Sequence, residues 1–366
     1  MPTTLYLHIG TWKTGSSTIQ HNLYKQRDKL KKEGFFYLCK EDKMVVSDGK
    51  MRHFTSLENE FIRKSRKKLS AILERHQDKE YTYISSAEEY SGSPFMGFKN
   101  AGAVAKNLNE IMKGFDLDAK VIVYLRRQDR FFESLYQQSI RLGESHSFEE
   151  FYEQFDETDF NWLYLLDSYS EIFGKQNVIV RRYHPKYLPE ENSLIRDFGR
   201  VIGSRMLSEF STTQSKNKGY SRDTLEITRI MNKYFEGEER YQLRKLFDRI
   251  GFKNPLEGYT FFTKSAREQF LERYKDQNRQ IAASYLNEEG DLFPNHPNEE
   301  IGLEPYEGLT TEALVANFSK ALLLIREDAV REQHKVKADL KNRMIFYRIR
   351  NFLLKILKKA KASRKD

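Results

Sequence analysis

In the stretch LHIGTWKTGSST, Gly10 and Gly15 bracket Lys13, and Ser16, Ser17 and Thr18 follow directly. A strand that ends in such a turn and opens a helix aims backbone N–H groups, and the positive end of the helix dipole, at whatever sits in the turn. Three hydroxyls on the first helical turn add donors and Lys13 adds a point charge. The chemistry on offer is the holding of a phosphate-like anion. A serine that merely caps a helix after a glycine turn is the alternative, and it leaves the lysine, the two glycines and the hydroxyls together unexplained. The glycine spacing is that of the G-x-x-x-x-G-K-[ST] loop, yet Ser16 stands where that loop has its lysine. No later apolar strand ends in an aspartate placed to hold Mg²⁺, so the anion is expected to be bound without a metal.

A second constellation lies in YLRRQDRFFESLYQQ, where Arg126 and Arg127 end a strand and Ser134 follows on the next helix. Two guanidinium groups at the carboxyl edge of a parallel sheet, beside a helix-borne hydroxyl, would make another anion site facing the same crevice. Equally, these arginines could pair with Asp129 and Glu133.

Both constellations need a parallel sheet to position them. TLYLHI reads as a buried strand, and SSTIQHNLYKQRDKLKKEG as one helix with Ile19, Leu23 and Leu30 on one face and Gly34 as its stop. Further strands are expected at FFYL, YTYIS, KVIVYL and NVIVRRY, and helices at about 51–76 and 101–114, then at DRFFESLYQQSIRLG, SFEEFYEQF and NWLYLLDSYSEIFG. This alternation predicts an α/β, P-loop-like three-layer fold: a central parallel sheet flanked by helices. From Ser193 onward the pattern is mainly helical, with an irregular stretch over about 287–308. The expected organisation is a domain over 1–320, with an anion-binding core to about 205 and a helical part over 206–320, followed by an extension over 321–366.

The 366 residues carry a net charge of +9, but the charge is concentrated. From Lys335 to Asp366 basic residues far outnumber Asp339 and Asp366, and the rest is near neutral, which argues against nucleic acid as the partner. The single cysteine, Cys39, excludes a disulfide framework and a cysteine metal site. The apolar run LYLHIG begins within a few residues of Met1, leaving no room for a signal segment, and no stretch approaches the length of a membrane span. A cytoplasmic protein is expected.

The two constellations resemble those of the sulfotransferases that use 3′-phosphoadenosine 5′-phosphosulfate (PAPS). KTGSST is similar to that family's 5′-phosphosulfate loop, K-[ST]-G-[ST]-[ST], and Arg126 with Ser134 to its 3′-phosphate motif. With ISSAEEYSG, SKNKGYSRDTLEITRIMNKY and NRQIAASYLNEEGDLF in the same order, the chain resembles a bacterial carbohydrate sulfotransferase over about residues 4 to 295. The resemblance implies PAPS as co-substrate, no metal, and a carbohydrate hydroxyl as acceptor. Lys13 would contact the bridging oxygen between phosphate and sulfate. Thr14, Gly15, Ser16, Ser17 and Thr18 would hold the 5′-phosphate, Arg126 and Ser134 the 3′-phosphate, and Lys216 or Lys218 would add to the latter from a closing loop. A sulfuryl group carries less negative charge than a γ-phosphoryl, so a lysine and backbone amides can serve without Mg²⁺.

The attacking hydroxyl needs a general base. Glu88, just past the strand YTYIS, is the first candidate; Glu89 is not separable from it by sequence, and His53 is the second. His8, within the first strand, reads as a satisfied core histidine and His184, before Pro185, as a turn residue; Trp12 is one candidate for stacking on adenine. In the tail, Ile345, Ile349, Phe352, Leu353 and Ile356 form an amphipathic stripe among lysines and arginines. It suits an anionic membrane surface, here the inner face of the cell membrane, or else the protein's own core or a partner subunit. Two other functions fit parts of the pattern. A P-loop kinase would consume Mg-ATP, and a non-catalytic binder of anionic membranes or nucleic acid would act through the tail alone.

Overall fold

The computed structural model describes residues 2–39, 59–189, 193–210, 219–250, 252–253, 259–294, 304–305 and 308–362. Five parallel strands form its central sheet: β1 (Thr3–Gly10), β2 (Phe35–Tyr37), β3 (Thr82–Ser86), β4 (Leu117–Leu125) and β5 (Val178–Arg182), in the order β2-β3-β1-β4-β5. β1 is central and pairs with β3 on one side (His8 opposite Ser86) and β4 on the other (Leu7 opposite Val121). Because the chain leaves β1 toward β2 and later crosses to β4, the direction of winding reverses at β1. Its carboxyl end therefore opens a crevice between the two crossovers.

Strands buried on both faces read as unbroken apolar runs. Val121 to Leu125 is such a run, with every residue buried. On one face Ile122 and Tyr124 pack against Ile19, Leu23 and Leu30 of α1 (Ser16–Lys25) and α2 (Arg27–Lys32) and, further along, Phe198 of α8 (Leu194–Ile202). The elements between are α3 (Asn59–Arg75), α4 (Ala101–Met112), α5 (Gln128–Leu142), α6 (Phe148–Tyr152) and α7 (Trp162–Phe173). An aromatic cluster of Phe98, Phe131, Phe160 and Trp162 joins the turn before α4 to α5 and α7.

Two expectations about the helices need correction. The first helix breaks at Gln26, where the backbone opens to φ −100° and ψ 9°, and the Arg27 guanidinium donates to the Tyr24 carbonyl at 2.9 Å. The helix expected at SFEEFYEQF spans only Phe148–Tyr152; Ser147 caps it in a capping box with Glu150.

After α9 (Arg205–Ser208) come α10 (Arg222–Met231), α11 (Gly237–Ile250), α12 (Lys264–Glu272), α13 (Lys275–Ile281) and the long α14 (Thr311–Ala362), which runs unbroken across residue 320. The chain divides into two units: Met1–Gly219 with Lys253–Glu307, and Tyr220–Phe252 with Gly308–Asp366. In the second, α14 meets α10 where the Thr224 hydroxyl donates to Asn317, and α11 where Phe318 meets the Phe247 ring edge-on. Among the described residues no helix is long and apolar enough to cross a membrane.

Candidate functional site

The turn after β1 takes a conformation that few residues tolerate. Gly15 has φ 81°, and a Cβ there would lie 2.4 Å from Leu194 Cδ2 and 3.2 Å from Tyr183 Cε2. Any side chain would collide with its surroundings as well as strain the backbone. Lys13 is itself left-handed, at φ 64°, a conformation that non-glycine residues adopt at a cost of roughly 1–2 kcal/mol. The Thr14 hydroxyl donates to the Thr11 carbonyl at 2.5 Å and the Thr11 hydroxyl to the Tyr124 carbonyl at 2.8 Å, so the turn is braced internally and against β4. Thr14 thus spends its hydroxyl within the loop, which leaves its backbone for a ligand.

Gly15 is the N-cap of α1, and no side chain caps the helix. The amides of Ser16 and Ser17, in the first turn, have no carbonyl a turn earlier to receive them. Ser17 is exposed, Thr18 is half-buried, and Ser16 is buried beneath them. That combination of open amides, a closely packed glycine and a forward-facing helix dipole fits a bound phosphate.

The second constellation meets this loop directly. Arg126, at the end of β4, donates from Nη1 to the Lys13 carbonyl at 3.2 Å, while the Trp162 indole donates to the carbonyl of Arg126 at 3.0 Å. From α5, Gln138 Oε1 lies 3.5 Å from the Lys13 ammonium. Lys13 is thereby approached at its carbonyl and at its ammonium by the same β4–α5 corner. Burial, reinforced by the charges of Arg141 and Arg126 and opposed by Glu88, lowers the Lys13 pKa to about 8. Ser134 lies one turn before Gln138 on α5, half-buried, and Ser134, Gln138 and Arg141 share a helix face by their spacing.

Arg127 resolves the alternative left open by the sequence: the ion-pair reading holds for it and not for Arg126. Its guanidinium grips Asp129 at 2.7 and 2.9 Å, both groups are buried, and Arg267 joins the same carboxylate at 3.2 Å. Burial alone would raise the Asp129 pKa, but the Arg127 hydrogen bond and the surrounding guanidinium charges hold it below the usual range. Arg127 is therefore not part of an open anion site. Neighbouring residues at a strand end point apart, which sends one arginine to the loop and the other into the protein.

On the β3 side of the loop stands Glu88, which begins a 3-10 turn at Glu88–Ser91. Its Cα would lie 3.2 Å from a Cβ on Gly10, and the Ser16 hydroxyl, which donates to the Thr11 carbonyl at 3.4 Å, is near enough to its carboxylate to favour the charged form. Burial first, and then the neighbouring Glu89, raise its pKa, against the opposing effects of Lys13 and Ser16. Glu88, Lys13, Ser16 and Arg126 thus gather at the carboxyl edge of β3, β1 and β4. His53 and Lys216, with Lys218, lie outside the described residues. Trp12 is half-buried and edge-on to Phe95, with ring centroids 6.2 Å apart.

His8 is buried as expected, its Nδ1 2.7 Å from Ser86 Oγ, but Nε2 is buried with no hydrogen-bond partner among the described residues. It is thus only half satisfied, and burial lowers its pKa to about 3. His184 caps a 3-10 turn by accepting from the Lys186 amide at 3.2 Å. Sequence reasoning missed Gln138, Arg141 and Tyr183. The first two were signalled by spacings of four and seven from Ser134; Tyr183 follows β5, its ring 5.9 Å from the Arg126 guanidinium and close against Gly15.

No protein-family model matches the chain. It is 24% identical over 240 residues to an uncharacterized protein of Archaeoglobus fulgidus, an alignment covering 63% of this chain and 65% of that protein. The chain thus spans a little under two thirds of the length of this curated relative. Among solved structures it is similar to a sulfotransferase from Alicyclobacillus acidocaldarius, with a TM-score of 0.35 and 15% identity over 68% of this chain and 92% of that one. At that level of superposition the likeness decides neither the fold nor the chemistry, which stand on the geometry above.

Proposed function

We propose that the protein is a PAPS-dependent sulfotransferase that moves a sulfuryl group to a hydroxyl of a carbohydrate acceptor. The observation that carries this reading is the hydrogen bond from Arg126 to the Lys13 carbonyl: it joins two constellations, each suited to a phosphate, into one crevice at the edge of the sheet. Thr14, Gly15, Ser16, Ser17 and Thr18 would hold the 5′-phosphate and Arg126 with Ser134 the 3′-phosphate, with Lys216 a further candidate. PAPS, when bound, supplies an activated sulfuryl group on a phosphate leaving group. Lys13 would place its ammonium beside the charge that develops on that phosphate. Glu88 would take the proton from the acceptor hydroxyl, a task that its raised pKa suits, since a base titrating nearer neutrality accepts a proton more strongly.

The carbohydrate acceptor is supported by the sequence resemblance, and the basic tail would hold the enzyme at the inner face of the membrane, where a lipid-linked glycan is within reach. Deleting residues from Asn342 onward is expected to move the protein to the soluble fraction; an unchanged distribution refutes that location.

One observation favours a second reading. Glu88 sets a carboxylate just past the end of the strand beside β1, next to Ser16 of the loop, and an acidic group at such a strand end could serve Mg-ATP. Thermal stability with 3′-phosphoadenosine 5′-phosphate, AMP and Mg-ATP separates the two. A ligand of the native state at about 100 times its Kd adds about 2.7 kcal/mol. A rise with the bisphosphate alone is expected; a rise with Mg-ATP alone would replace the proposal with a kinase.

A further inference from the structure

α14 is 52 residues long, about 78 Å at 1.5 Å per residue. One side of its first half meets the other helices of the second unit: Asn317 and Ala321 are buried, and Asp328 pairs with Arg249 of α11. Another side is bare. Val315 is 59% exposed, Leu322 67%, Ile325 52% and Val336 53%, and Phe318, although it touches Phe247, remains 44% exposed.

These positions have an order. From Val315 the steps to Phe318, Leu322 and Ile325 alternate three and four; the next steps fall on Ala329 and Glu332 and return to Val336. Val315, Leu322, Ala329 and Val336 occupy one heptad position throughout, and Phe318, Ile325 and Glu332 the other. An apolar repeat of 3.5 residues keeps a seam straight only when the helix winds around another helix, whereas a helix lying on a flat surface follows its own period of 3.6. Seven residues later the first position falls on Arg343, and Asp339 takes the second, so the seam ends near Val336. It is separate from the stripe of Ile345, Ile349, Phe352 and Ile356.

Charge along the seam distinguishes the remaining occupants. Between Lys320 and Lys335 the helix carries Arg326 and Arg331 against Glu327, Asp328 and Glu332. Such a mixture gives an anionic bilayer little to attract, unlike the strongly basic residues beyond, and suits a partner of the same mixed charge.

We propose that the seam from Val315 to Val336 pairs with the same seam of a second copy of this chain, so that α14 forms the coiled-coil core of a homodimer. Glu332 is its one charged seam position and weakens it. The proposal is independent of the donor chemistry.

Sedimentation velocity of the full chain over a dilution series around about 10 µM tests it. The expected result is a reversible species of twice 43.5 kDa, with a Kd raised about 100-fold or more by the double variant Leu322→Glu, Ile325→Glu. Glu332→Leu is expected to tighten the dimer about tenfold, an outcome that misfolding does not produce. Melting temperature in both variants checks that the rest of the chain is intact. A wild-type chain that stays monomeric across the series overturns the proposal. So does a monomer that binds phosphatidylglycerol vesicles and loses them in the double variant, which would assign the seam to a membrane.

Discussion

The first unit buries its charges as well as its apolar side chains; the second leaves apolar side chains in water. Arg127, Asp129 and Arg267 are all buried together in the first. Twelve of the sixteen large apolar side chains that stand exposed among the described residues belong to the second, which holds about a quarter of the chain. A sheet covered on both faces can afford enclosed ion pairs, because many packed side chains hold each geometry in place. Three helices cannot enclose much, and the exposed surface that results points to a partner.

The largest effect should come from breaking an enclosed pair in the first unit. Asp129→Ala would leave the buried guanidinium groups of Arg127 and Arg267 without the carboxylate they share, a loss of about 3–5 kcal/mol. Chemical denaturation measures it. A loss below about 1 kcal/mol, the value of an exposed pair, would erase the contrast between the units.

That pair also marks where sequence stops being informative. The strands β1 and β4 were legible because central parallel strands read as continuous apolar runs, and the α1–α2 face because Ile19, Leu23 and Leu30 recur at helical spacing. The glycine loop, Lys13 and Glu88 were legible as residues of the right type at strand ends. Which of two adjacent arginines would turn inward was not, since that depends on Arg267, brought to Asp129 from 138 positions along the chain. Gln138 and Arg141 carried only the signal of their helical spacing from Ser134, and Tyr183 carried none, because each acts through a contact between elements. The seam on α14 was not read from the sequence, since what sets it apart is that Val315, Leu322 and Ile325 stay exposed in the folded chain.

Within the first unit the crevice should respond next. Lys13→Ala is expected to lower kcat about 100-fold, close to 2.7 kcal/mol of transition-state stabilisation, with a smaller effect on donor binding. Because the protonated amine is the active form, activity should fall as pH rises through about 8. Gln138→Glu would set a carboxylate beside the ammonium and move that limb upward. An unchanged kcat in Lys13→Ala, or a limb indifferent to Gln138→Glu, would remove Lys13 from this role.

His8 gives a third, smaller test. Its folded pKa, about 3, lies below the ordinary value near 6.5, so as pH falls through 6.5 the unfolded chain gains a proton that the folded chain refuses. The folded state should lose about 2 kcal/mol between pH 7 and pH 5 from this group, and a His8→Gln variant should show a flatter dependence. A profile that keeps its slope in the variant would mean that other groups set it.

The smallest effect belongs to the second unit. Arg249 of α11 reaches Asp328 of α14 with Nη2 3.1 Å from Oδ1, an ion pair between helices like those of the first unit, but both side chains are well exposed to water. Solvent and salt screen such a pair, and holding two long side chains in register offsets much of what attraction remains. Arg249→Gln should leave the melting temperature unchanged at physiological salt. A drop comparable to that of Asp129→Ala would mean that an exposed pair between helices holds as much as an enclosed one, and the contrast between the two units would not rest on burial of charge.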